Sequence, residues 1–313
     1  MSVDALGFAS LLGAGLAVVF VASVWWTAHR LRRSPRRTAA WAASRGVASD
    51  PGELDEPATF REAVIGLEGR RLLAWEIEGD ALEGPVVIVT PGWGDSRLGT
   101  LPRLAALRGW ASAIVAWDPP GLGETEGRCG MGVVETRLLR ALVERYHDRS
   151  LARGGERGVV LFGWSLGGGA SVAAGDAAGV VGVIAEAPYR RAITPARNVL
   201  RAAGLPWRVN LPVAMALMGV RLGVGPWWRG FDRAETAARV TAPVLVIHGT
   251  EDAISPIEDG RRIAESARAG RIAEIEGGGH NDLWADPAHR AACVGAVREF
   301  AASLTGSPAS SLG

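Results

Sequence analysis

The distribution of apolar and polar positions divides the chain into an N-terminal stretch and a globular part. Ala5 to Ala28 carries no charged residue and is built from Leu, Val, Ala, Gly and Phe, closing with Val24-Trp25-Trp26. About 20 apolar residues cross a bilayer core as a helix, so this stretch is long enough to do so. From Phe60 the pattern changes to short apolar runs alternating with longer amphipathic ones. Val86–Thr90 (VVIVT), Ser112–Trp117, Val159–Phe162, Val180–Ala185 and Val244–Ile247 are continuous apolar runs, which predict strands buried on both faces of a parallel sheet. Phe60–Leu67 and Arg71–Glu78 predict an antiparallel hairpin at its edge, and Ile272–Ile275 a further strand.

Between the strands the period lengthens. In Met131–Tyr146, Val134, Leu138, Leu142 and Tyr146 recur every four residues and give one apolar helix face. Pro287–Leu304 predicts a closing helix with Val294, Val297 and Phe300 on one side. Strands alternating with helices define an α/β class, with a mostly parallel central sheet and helices on both faces. The alternation breaks between Pro188 and Ala238, which holds Pro195, Pro206, Pro212 and Pro226 and a short apolar helix around Leu211–Val220. That stretch is expected to be a small helical cap over the sheet. The expected organisation is an anchor at 1–29, a juxtamembrane linker at 30–57, a globular domain at 58–304 with its cap at about 188–238, and a flexible tail at 305–313.

Composition removes several function classes. Apolar residues make up 48% and charged residues 21% of 313, a globular balance. A formal charge of +1 argues against a nucleic-acid partner. Lysine is absent, so all 34 fixed cations are arginine. That excludes a P-loop, Schiff-base chemistry and a Ser-Lys dyad. Cys129 and Cys293 sit in no CxxC or Cys/His cluster and read as buried thiols. No metal or organic cofactor is called for.

Charge also orients the N-terminal stretch. The leader Met1-Ser2-Val3-Asp4 has no basic residue, whereas Arg30, Arg32, Arg33, Arg36 and Arg37 follow the apolar run. A cleaved signal peptide carries its positive charge first. The bias predicts an uncleaved single-pass anchor with the globular domain on the cytoplasmic side, and Trp25 and Trp26 at the interface.

The chemistry centres on GWSLG, Gly163–Gly167, directly after a strand and before the small-residue helix Gly168–Ala174. G-x-S-x-G makes a sharp strand-to-helix turn that lifts a serine hydroxyl above the sheet edge. Ser165 is the candidate nucleophile. A serine needs a base held by a third group, and on this architecture acid and histidine follow it in that order. Asp252, just after the VLVIHG strand, is the candidate acid, in preference to its neighbour Glu251. His280, after Gly277-Gly278-Gly279, is the candidate base; His289 falls in the last helix, and His248 reads as a loop brace. Asp282 beside His280 reads as shaping the loop. Two backbone donors are needed for an oxyanion. Leu166 supplies one; Trp93, in the TPGWGDS loop, supplies the other, with Gly94 as the alternative.

These motifs together resemble the α/β-hydrolase superfamily across Phe60 to Leu304. The matching pieces are VVIVTPGWGDS, AWDPPGLGETEG, GWSLGGG, VLVIHGTEDAISP and EGGGHNDLW. HGTED combined with GGGHND looks most like a small-cap, often membrane-anchored branch related to acyl-protein thioesterases and to lysophospholipase-like and peptidase-like relatives. The resemblance implies Ser165, Asp252 and His280 as a triad by position. The chain departs from it at Thr90, where many members carry histidine, which leaves the oxyanion geometry open.

The expected function is a membrane-anchored serine esterase or thioesterase. Met215, Met218, Trp207, Trp227 and Trp228 in the cap suggest a small-molecule or lipid substrate with a hydrophobic acyl group. The alternatives are amide hydrolysis by the same residues, as in a peptidase, and a non-catalytic membrane-tethered binding module. A serine at the nucleophile position excludes the dehalogenase and epoxide-hydrolase chemistries, which use a carboxylate there.

Overall fold

Hydrogen bonding joins eight strands into one sheet: β1 Phe60–Leu67, β2 Arg70–Glu78, β3 Val86–Thr90, β4 Ala113–Trp117, β5 Val159–Trp164, β6 Val180–Glu186, β7 Val244–Gly249 and β8 Gly270–Ile275. Their order is β1-β2-β4-β3-β5-β6-β7-β8. β1 and β2 form the antiparallel hairpin, β2 pairs antiparallel with β4, and all later pairs are parallel. The structure, a computed structural model, describes residues 3–152 and 158–304. The expected tail at 305–313 lies outside the described residues.

The hairpin turn consists of Glu68 and Gly69, with Leu67 facing Arg70. Both turn residues have positive φ, 49° and 70°, the handedness that matches the twist of two-residue hairpins. In the central strands successive side chains go to opposite faces. Ile88, Leu161 and Val246 enter one buried cluster, whereas Val87, Val89, Phe162 and Ile247 enter the other.

Ten helices accompany the sheet among the described residues: α1 Val3–Arg32, α2 Ala39–Ala43, α3 Leu104–Arg108, α4 Val133–Ala152, α5 Leu166–Ala174, α6 Ile193–Ala202, α7 Asn210–Arg221, α8 Arg233–Ala237, α9 Ile257–Ser266 and α10 Pro287–Leu304. α4, α5, α8 and α9 cover one face through residues such as Leu138, Leu142, Val172, Ala234 and Ile263. α3 and α10 cover the other through Leu104, Leu107, Cys293, Val297 and Phe300. α4 starts two residues later than its apolar period suggests. Met131 and Gly132 both have positive φ, and the Glu135 carboxylate accepts the amides of Gly130 and Gly132 at 2.7 and 2.8 Å.

A third cluster lies above the carboxyl edge of the sheet. It joins Leu200 of α6 and Leu211, Met215 and Met218 of α7 to Leu122, Met131 and Leu31. Burying a side chain of this kind is worth about 1.5–3 kcal/mol. The cap is thereby held on the domain, and α8 returns the chain to the sheet.

Ser10–Arg32 of α1 has a mean hydropathy of 1.9 and is long and apolar enough to cross a membrane. Phe8, Leu11, Leu16 and Val19 are exposed, but Val24, Thr27 and Leu31 are buried. The end of α1 packs on α7, where Asn210 Nδ2 donates to Thr27 Oγ1 at 2.6 Å. The segment after it also packs on the domain. Arg32 and Cys129 exchange hydrogen bonds, the Cys129 amide to the Arg32 carbonyl at 3.0 Å and Arg32 Nε to the Cys129 carbonyl at 3.2 Å. Ser34 Oγ donates to the Gly121 carbonyl at 3.3 Å.

Candidate active site

Ser165 stands at the junction of β5 and α5 with φ 53° and ψ −113°. That region is unfavourable for a residue with a Cβ, at a cost of about 1–3 kcal/mol, and it persists only where the surroundings enforce it. The neighbouring glycines are the enforcement. A methyl group on Gly167 would sit 2.0 Å from the Thr90 carbonyl oxygen, and one on Gly163 would sit 2.4 Å from the Gly167 carbonyl. The Ser165 amide donates to the Glu186 carbonyl at 2.8 Å, fastening the turn to the end of β6.

Three residues chosen from sequence meet at this edge. His280 Nε2 lies 3.0 Å from Ser165 Oγ, and His280 Nδ1 lies 2.7 Å from Asp252 Oδ2. The other carboxylate oxygen of Asp252 accepts the amides of Ile254 and Ser255, each at 2.8 Å. Burial opposes the charged carboxylate, but the hydrogen bonds from His248, His280 and the Ser255 amide outweigh it and hold the pKa of Asp252 well below the ordinary aspartate value. The imidazole is thus pinned between a carboxylate and a hydroxyl.

The residues set aside from sequence fall elsewhere. Glu251 is exposed, and Asp282 accepts the Gly279 amide at 2.8 Å, which shapes the loop carrying His280. His289 faces Asp282 at 3.7 Å. His248 is fully buried, donates from Nε2 to the Ser255 carbonyl at 2.8 Å, and stands 3.4 Å from Asp252 Oδ2. Cys129 and Cys293 are buried and unpaired, and burial raises both thiols, Cys293 to about 12.

Leu166 opens α5, and amides in a first helical turn have no intrahelical acceptor. Leu166, Trp93 and Gly94 all line the cavity that contains Ser165 and His280. Gly92 lets the backbone come close, because a methyl there would lie 3.3 Å from Ser165 Cβ. Thr90, at the point of departure from the family pattern, is buried and accepts from Trp117 Nε1 at 3.0 Å.

The cavity has a volume of about 520 Å³. Its inner wall is apolar: Met131, Tyr189, Ala192, Ala196, Val199 and Leu166. Behind it lies a buried polar network that the sequence does not advertise. Arg103 Nε donates to Glu186 Oε2 at 2.9 Å, Trp284 Nε1 donates to the same oxygen at 2.7 Å, and Arg103 stacks on Trp164 at 4.1 Å. Nothing in a linear pattern marks a charge as buried, so Arg103 and Glu186 carry no sequence signal. The outer wall is also unexpected. Leu31, Pro35, Arg36, Arg37, Trp41 and Arg45 border the same cavity, from the stretch expected to be a linker. Among the described residues no group of three or more His, Cys, Asp or Glu is placed to hold a metal ion.

A parallel sheet carrying a strained serine at a strand-to-helix turn, with an imidazole against its hydroxyl, defines a hydrolase of the α/β class. Residues 86–294 match the family described as the alpha/beta hydrolase family, and the chain belongs to it. An uncharacterized protein of Mycobacterium tuberculosis is 29% identical over 237 residues, covering 71% of this chain and 73% of that protein. Among solved structures, an esterase of Pyrococcus furiosus superposes with a TM-score of 0.64 at 16% identity, covering 87% of this chain and 98% of the other. An esterase of a Rhodococcus species gives 0.54 at 20% identity, covering 78% and 99%. A monoacylglycerol lipase of Paleococcus ferrophilus gives 0.51 at 21%, covering 74% and 99%. At these identities the structural likeness speaks to the fold.

Proposed function

We propose that the protein is a membrane-anchored serine hydrolase that cleaves a carboxylic ester or thioester of a hydrophobic acyl group. The observation that carries this reading is the Ser165–His280–Asp252 hydrogen-bond chain, with spacings of 3.0 and 2.7 Å, opening into an apolar cavity.

In this reading His280 Nε2 accepts the Ser165 proton as Oγ attacks the carbonyl carbon. Asp252 holds Nδ1–H and stabilises the imidazolium. The amides of Leu166 and Trp93 receive the developing oxyanion. His280 then gives the proton to the departing alcohol or thiol, leaving an acyl group on Ser165. Water, deprotonated by His280, attacks the acyl-enzyme and regenerates the serine. The acyl chain occupies the wall formed by Met131, Ala192, Ala196 and Val199.

Membrane attachment is supported by the length and apolarity of α1. It is also supported by a second apolar strip, since Val209, Val213, Leu217 and Val220 of the cap are 68%, 39%, 51% and 59% exposed. They stand on the side of α7 opposite its buried Leu211, Met215 and Met218. The arginines that close and follow α1 support a catalytic domain on the cytoplasmic side, by the positive-inside rule.

The test is labelling by a fluorophosphonate probe together with turnover of p-nitrophenyl esters of increasing chain length. The reading expects labelling that disappears in Ser165→Ala and His280→Ala, and faster turnover of long-chain esters. Aminoacyl-anilides cleaved faster than every ester would overturn the ester assignment.

A further inference from the structure

The arginines on the outer wall of the cavity are an unassigned feature of the site. Arg36, Arg37 and Arg45 border the same space as Ser165, and among the described residues Asp95 is the one carboxylate on that lining. Asp95 is heavily engaged: it holds Arg37 at 3.3 Å, the Trp164 indole at 3.2 Å and the Ser96 amide at 2.9 Å. Arg36 makes no hydrogen bond or ion pair among the described residues, and Arg45 meets only the ring of Trp41, at 4.8 Å. Among the described residues these two guanidinium charges therefore have no anionic partner.

The segment that carries them is fastened to the domain and to itself. Arg37 lies over the same Trp41 ring at 5.0 Å, and Thr38 Oγ1 caps α2 by accepting the Trp41 amide at 3.2 Å. Upstream, the Trp93 indole donates to the Leu31 carbonyl at 2.7 Å. A solvated juxtamembrane charge run needs none of these fastenings. Guanidinium forks match carboxylate and phosphate oxygens and form charge-assisted hydrogen bonds with them.

We propose that Arg36, Arg37 and Arg45 form an anion subsite for the leaving group. The substrate is then an acyl ester or thioester whose alcohol or thiol portion carries a phosphate or carboxylate. This inference rests on the hydrolase reading above and adds the chemistry on the far side of the scissile bond. The acyl chain runs along the apolar wall, and the anionic group turns toward the arginines. The other source of the same chemistry is the headgroup layer of an anionic bilayer, which would engage the arginines without reference to the substrate.

The experiment uses the full chain in neutral detergent micelles with two probes sharing one acyl chain, a 1-acylglycerol and its 3-phosphate. Wild type is expected to show kcat/KM at least about 10-fold higher for the phosphate, the size of one charge-assisted hydrogen bond. Arg36→Gln/Arg45→Gln is expected to bring the ratio of the two substrates close to one. Arg201→Gln, an exposed arginine of α6 away from the cavity lining, keeps the ratio. Equal rates on both probes by a wild type that labels with fluorophosphonate would sink the subsite and leave the hydrolase reading standing. So would variants that lose activity on both probes equally, and only on vesicles containing anionic lipid; that outcome assigns the arginines to the bilayer. A protein that neither labels nor cleaves either probe fails the hydrolase reading and the subsite with it.

Discussion

His248 Nε2 and Asp252 Oδ2 lie 3.4 Å apart with both side chains fully buried, so the carboxylate facing His280 has a second histidine behind it. His248 also bonds the Ser255 carbonyl, bridging the two ends of the turn that carries Asp252. It acts through Asp252 and touches no reacting atom, which makes it a positioning residue. His248→Ala should lower kcat by about 10- to 100-fold, the cost of one lost buried hydrogen bond, while KM changes little. Steady-state kinetics on one ester check this, and a rise in KM at unchanged kcat would contradict it.

Direct substitution in the hydrogen-bond chain should cost far more. Ser165→Ala and His280→Ala are each expected to lower kcat by roughly 10⁴-fold or more, and the double variant by little beyond either single one, because the residues act as a unit. Additive losses in the double variant would argue that the two residues do not share a step.

The Asp252 carboxylate makes acid stability testable. Its pKa is lower in the folded protein than in the unfolded chain, so on acidification the unfolded chain takes up the proton first. The stability it contributes is present above about pH 4, the ordinary aspartate range, and is lost as pH falls through the lower folded value. The difference in unfolding free energy between wild type and Asp252→Asn should therefore narrow from pH 6 to pH 3. Denaturant titrations at several pH values would show it, and a gap that widens toward acid would refute the sign.

Arg103 and Glu186 form an ion pair with side chains only 9% and 3% exposed. Removing one partner strands a buried charge, so Glu186→Gln is expected to lose roughly 3 kcal/mol or more. Arg103→Met combined with Glu186→Leu should recover much of that loss. Thermal melts of wild type and the two variants decide it; a double variant as unstable as the single one would show the network is needed for more than charge pairing.

The strands were legible in the sequence because continuous apolar runs such as VVIVT arise where both faces of a strand are covered. The serine turn was legible because glycine is the only residue that its close approaches admit. α6 was not: Pro195 reads as a breaker, yet it sits in the first turn, where proline costs no hydrogen bond. The third position of α7, Pro212, follows the same rule. Least legible was the docking of residues 31–45. Leu31 meets Trp93 and Arg32 meets Cys129 across distances in sequence that no local period reaches.

That docking changes what a tether does. Twenty-eight flexible residues between anchor and domain would let the catalytic serine roam about 30 Å from its point of attachment. The bonds from Leu31, Arg32 and Ser34 remove that leash and set the serine at one height above the end of α1. On the proposed membrane-anchored reading, a hydrolase mounted this way would work its own leaflet at a fixed depth, like a plane iron set in its stock, and an ester bond carried in an apposed membrane would stay out of reach.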